Sequence, residues 1–165
     1  MTNLTLTGNK GKVTINSKDV LNTLKSNPFL NNVRDISNTI NQEEVLAFDC
    51  RYEESYYEST TYDQEERELE EIMQHVGASG LLNIRFEDIR NIVKDCVDEV
   101  EAELQEVYKL DNLRCHFYIY SFDQYLTDIR FVILISFEDS KYLSMINLAS
   151  IIAQRQLDGQ SKFYS

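Results

Sequence analysis

The sequence predicts an α+β fold, and three observations predict it. Short runs alternate apolar and polar residues near the start, the middle and the last third of the chain, the period of a half-buried strand. A long apolar stripe at helical spacing runs from Phe86 to Leu110. No proline-rich linker or internal repeat divides the 165 residues, and a chain 42% hydrophobic and 27% charged suits one packed core, so a single domain over residues 1–165 is expected. The expected architecture is a mainly antiparallel sheet of about five strands packed with about five helices.

Taken in order, Leu4 and Leu6, then Val13 and Ile15, alternate on either side of the turn-rich TGNKGK and predict a β-hairpin over residues 3–7 and 12–16. Val20, Leu21 and Leu24 make one helical face. Asn27-Pro28 then suits an N-cap and first position for a second helix, in which Phe29, Leu30, Val33, Ile36 and Ile40 keep the 3.6-residue period. A strand follows near 44–52, with Leu46, Phe48, Cys50 and Tyr52 on its apolar side and Asp49 and Arg51 on the other.

Glu53 to Tyr62 has neither period and reads as a loop. From Asp63, Leu69, Ile72, Met73 and Val76 mark a helix that Gly77 and Gly80 stop. The longest predicted helix carries Ile89, Val93, Cys96, Val97, Val100, Leu104, Val107 and Tyr108 on one stripe and acidic residues on the other side. Two strands near 113–122 and 129–137 then alternate around DQYLTD as a second hairpin. A last helix, near 140–157, is apolar nearly all round, which predicts either the central core helix or half of a homodimer contact.

Charge is the strongest functional signal. The net charge is −12, yet residues 1–42 carry +3 and residues 43–71 carry −10, with twelve carboxylates against two arginines. Such a surface repels phosphates and anionic lipid, so direct nucleic-acid or membrane binding is not expected, and a basic protein is the better partner. Missing from the sequence are an apolar run of membrane-spanning length and a signal-peptide core, and three cysteines without a C-x-x-C pair fit a reducing compartment, so a cytoplasmic location is expected.

Part of this charge has a local explanation, because Asp63, Glu65 and Glu66 meet the positive end of a helix macrodipole. Glu53, Glu54, Glu58, Glu68, Glu70 and Glu71 have none of that kind. In the long helix Asp95, Glu99 and Glu103 stack at i,i+4, with Glu106 one turn on, where like charges cost a few tenths of a kcal/mol per pair. Tyr56, Tyr57 and Tyr62 lie among the carboxylates with nothing local to bury them, and aromatics amid acid make a good surface for meeting lysine and arginine. Those six glutamates, three tyrosines and four helix carboxylates are the candidate partner-binding residues.

In size and charge pattern the chain resembles the small acidic proteins by which phages and mobile elements block nucleic-acid enzymes, the DNA-mimic anti-restriction and anti-CRISPR proteins. It is also similar to acidic immunity proteins that neutralise nuclease toxins. The resemblance implies a non-catalytic inhibitor that occupies a basic cleft and evades or neutralises a host or rival enzyme. No cofactor or metal is expected on that reading.

Catalysis has one alternative foothold. Asp128, with Asp139-Ser140-Lys141 after the last strand, is similar to the D…(D/E)-x-K core of restriction-endonuclease-like nucleases, which would hold Mg²⁺ and position water. Asp139 or Ser140 equally suits the N-cap of the final helix. Cys50, Cys96 and Cys115 all fall on apolar faces and read as core thiols.

Overall fold

The computed structural model describes residues 3–8, 11–30, 32–39, 45–53, 59–122, 128–137 and 142–164. In chain order the elements are β1 (Asn3–Gly8), β2 (Gly11–Asn16), α1 (Ser17–Lys25), β3 (Asn32–Asp35), a 3₁₀ turn (Ser37–Thr39), β4 (Leu46–Glu53), α2 (Ser59–Tyr108), β5 (Leu113–Phe122), β6 (Asp128–Phe137) and α3 (Tyr142–Tyr164). The fold is α+β. Its main sheet is antiparallel in the order β3-β4-β6-β5, and the β1-β2 hairpin forms a separate two-stranded sheet instead of joining it.

β6 sets the layering. Residues Phe131 to Ser136 are all buried, so this central strand is covered on both faces, as a near-continuous apolar run requires. On the inner face Phe131, Ile133 and Ile135 pack with Leu46, Phe48 and Cys50 of β4, against Val20 and Leu24 of α1 and Ile89, Val93, Val97, Val100 and Leu104 of α2. On the outer face Val132 and Leu134 meet Ala47 and the α3 residues Met145, Ala149, Ile152 and Ala153. Three buried alanines on this side let the helix close on the strands. The result is helix, sheet and helix in three layers.

Three expectations are corrected and one is borne out. The predicted helix after Pro28 is instead a turn leading to β3. The Asn27 side chain accepts a hydrogen bond from the Phe29 N–H at 2.9 Å, a local bond that competes with helix propagation, and Val33 then pairs with Cys50 in register. The predicted loop ends earlier, because α2 already begins at Ser59. The predicted stop at Gly77 is borne out: its positive φ of 76° with ψ 173° is non-helical, a conformation glycine adopts without the Cβ clash other residues meet, so α2 consists of two helical arms joined by a kink there, with Gly80 inside the second arm. Finally, α3 is an outer layer and not a central helix: Ile151 and Leu157 are exposed on its far side.

Candidate functional site

The second arm of α2 lies along β5 and divides its surface into two edges. At 100° per residue, the four- and three-residue spacing of Ile89, Val93, Val97, Val100 and Leu104 places them inward, and all five are buried. Glu101 and Gln105 then fall on the β5 side. The Glu101 carboxylate accepts from the Cys115 N–H at 2.9 Å, and the Gln105 side-chain amide donates to the Leu113 carbonyl at 2.7 Å. Lys94 and Asp98, one turn apart at 3.0 Å, pair with each other nearby.

Asp95, Glu99, Glu103 and Glu106 fall on the other edge, and all four are exposed. Among the described residues none of them takes part in an ion pair or a hydrogen bond through its side chain. The row spans about 16 Å at ~1.5 Å per residue. Two apolar side chains sit at its ends on the same side: Ile92, one turn before Asp95 and 39% exposed, and Val107, one turn after Glu103 and 61% exposed. Carboxylates with apolar neighbours form a surface that can meet protein cations and still bury area. The field of the row reaches inward as well. Burial first, and the Glu99 charge second, push the Cys96 thiol up to about 12.

Asp128 and Asp49, by contrast, are used internally. Asp128 accepts from the Arg51 guanidinium at 3.1 and 3.0 Å through both of its oxygens, and Arg130 approaches at 3.5 Å. Asp49 accepts from the Tyr120 hydroxyl at 2.7 Å and from Arg34 at 3.2 Å, and Arg34 also donates to Gln156 of α3. These groups share the outer sheet face and tie β3, β4, β5, β6 and α3 together. As a metal ligand Asp128 would have to give up Arg51, and its proposed companions Asp139 and Lys141 lie outside the described residues. Among the described residues no group of three His, Cys, Asp or Glu side chains is placed to hold a metal ion.

The remaining predicted site residues are distributed unevenly. Glu70 and Glu71 are exposed on the first arm of α2. Tyr62 and Glu68 are on that arm, and Glu53 ends β4, but their side chains are outside the described set. Glu54, Tyr56, Tyr57 and Glu58 lie wholly outside it. Tyr52, read as a core residue, is half-buried and stacks on Phe29 with ring centroids 4.5 Å apart and planes 6° from parallel. The sequence reading missed the edge-capping role of Glu101 and Gln105. Their i,i+4 spacing on a polar flank of the long helix was visible, but only the sheet order makes β5 an edge in need of capping.

Comparison with protein-family models, with curated proteins and with solved structures finds no match to the chain. No helix among the described residues is long and apolar enough to cross a membrane.

Proposed function

We propose that this is a non-enzymatic interaction protein of the acidic inhibitor class, which seats the Asp95-Glu99-Glu103-Glu106 face of α2 in a cationic groove of a partner protein. A nucleic-acid-processing enzyme is the fitting owner of such a groove, because its substrate phosphates demand a continuous cationic track. One observation carries the reading: the carboxylates of this row stay exposed and unmatched, whereas Asp49, Asp98 and Asp128 each have a cation of the same chain beside them. Like charges at i,i+4 cost stability, so a row kept without compensation gains most from an external cation. The exposed Ile92 and Val107 supply apolar contact that a purely solubilising face would not need. Glu70 and Glu71, with the acidic segment before them, extend the negative potential and speed encounter.

The test is capture of partners from bacterial lysate on the immobilised protein at low and high salt, beside a variant carrying Asp95→Asn, Glu99→Gln, Glu103→Gln and Glu106→Gln. Binding that weakens steeply with salt and is lost in the variant supports the proposal. Salt-independent binding shared equally by both proteins refutes it.

A further inference from the structure

We propose a second docking site on the opposite edge of the same helix: the open half of β5 accepts an extended, carboxylate-bearing peptide segment of a partner protein as an added strand. β5 is an outer strand of the main sheet. In an antiparallel ladder alternate residues turn their N–H and C=O outward, and the capped Leu113 carbonyl and Cys115 N–H identify the odd-numbered residues as the outward set. Phe117 and Ile119 belong to that set, up to the register shift that follows Ile119. Among the described residues their outward backbone groups have no partner.

The reason lies in the match between helix and strand. A four-residue step along α2 rises about 6 Å and two residues of β5 about 6.6 Å, so a capping row on the helix keeps step with the strand. Gln105 meets Leu113 and Glu101 meets Cys115. The next positions in the row are Val97, which has no polar atom, and Asp98, whose carboxylate is held by Lys94. Beyond them comes Arg90, and at the far end Phe86 touches Phe122 with ring centroids 5.8 Å apart. The capping series thus ends halfway along the strand.

A groove of about 480 Å³ reaches from the last capped residue along the uncapped half, between Phe86, Arg90, Lys94, Val97 and Asp98 on one wall and Cys115 to Ile119 on the other. Exposed edges of this kind are usually blunted, as the first half of β5 is, and they are templates for strand addition when they are not. Charge selects the occupant. Arg90 is exposed and has no ion-pair partner among the described residues, whereas Lys94 and Asp98 of the same wall neutralise each other, so the uncompensated charge of the wall is the Arg90 cation, which favours a carboxylate side chain. Tyr118, 39% exposed, offers an apolar contact to side chains on the other face of the added strand.

The probes are a blocked heptapeptide of alternating valine and glutamate, the same peptide with lysine for glutamate, and two N-methylated versions that block one or the other set of alternate amides. Amide chemical shifts and hydrogen exchange of the full-length protein are the readout. Expected are saturable binding of the glutamate peptide with slowed exchange at Phe117 and Ile119, loss of binding for one N-methylated version only, and affinity reduced by ~10-fold in Arg90→Glu. Absence of saturable binding, protection elsewhere in the molecule, or equal binding of the lysine peptide overturns the proposal. Protection of Phe117 and Ile119 that grows with protein concentration in the absence of peptide also overturns it, in favour of self-pairing.

Discussion

Asp49 shows how this chain disposes of a charge it does not display. Burial raises its carboxyl above the ordinary value of 3.8, and the Tyr120 hydroxyl and the Arg34 and Arg130 guanidinium groups offset that only in part. The native state therefore holds the proton more tightly than the unfolded chain. By linkage, this residue's contribution to stability falls as pH rises from 3.8 through the raised native value. Replacing it with Asn keeps an acceptor for Tyr120, so Asp49→Asn should alter stability at pH 7 by less than about 1 kcal/mol and flatten that part of the pH profile in urea titrations. Asp49→Ala removes the acceptor altogether and should cost about 1–3 kcal/mol. The cysteines give a second check. Burial pushes the Cys50 thiol far up and the Cys96 thiol to about 12, and Cys115 is held up in the same way by burial of its sulfur, although its edge-strand backbone leaves the residue half-exposed. Iodoacetamide at pH 8 should label the thiols only as fast as the protein opens. Rapid labelling of native Cys96 would contradict the packing described for α2.

α2 ends in a motif whose sequence is not the usual one. Lys109 adopts a φ of 55°, and the Leu110 N–H reaches back to the Gln105 carbonyl at 3.0 Å, the 6→1 bond of a Schellman cap with lysine where glycine is common. Leu110 is buried beneath the cap. Lys109→Gly should stabilise the protein by roughly 0.5–1 kcal/mol, read as a rise in Tm, because it removes the Cβ cost of a left-handed residue. A lower Tm would mean that the lysine stem contributes more than its backbone strain. Elements also differ in how far the sequence announced them. The β5-β6 hairpin and the stripe of α2 from Ile89 to Leu104 were legible because period and burial agree, whereas Val107, which the period places on the same stripe, is exposed. β3 was not: Phe29, Leu30, Val33 and Ile36 keep a helical period, but Val33 joins the inner core and Ile36 the outer one, so the spacing reflects two destinations and not one face. α3 was legible as a helix and misplaced as a layer. The clue was in β6, where Val132 and Leu134 are apolar between residues already assigned to the inner face, so a second cover was required.

At the scale of the whole molecule, the chain keeps two kinds of acid apart. On the sheet Asp49 and Asp128 pair with arginines of the same chain, and on α2 Asp95, Glu99, Glu103 and Glu106 face solvent beside the exposed Ile92 and Val107. Pattern alone revealed the second group, since Asp95, Glu99, Glu103 and Glu106 lie on one helix edge at fixed spacing. The fate of Glu101 was beyond reach, because its partner is a backbone N–H fourteen residues away whose exposure depends on strand order. If the row serves a partner and not the fold, neutralising it should leave stability unchanged or raise it by a few tenths of a kcal/mol per relieved pair. Thermal melting of the variant with Asp95→Asn, Glu99→Gln, Glu103→Gln and Glu106→Gln checks this, and a clear loss of Tm would assign the row a structural role. The most direct measurement is the salt dependence of partner capture by the wild-type protein and that variant, side by side. The account predicts a basic, nucleic-acid-binding partner that is retained at low salt, released at high salt and not captured by the folded variant. A partner held equally by both proteins at every salt concentration would contradict it.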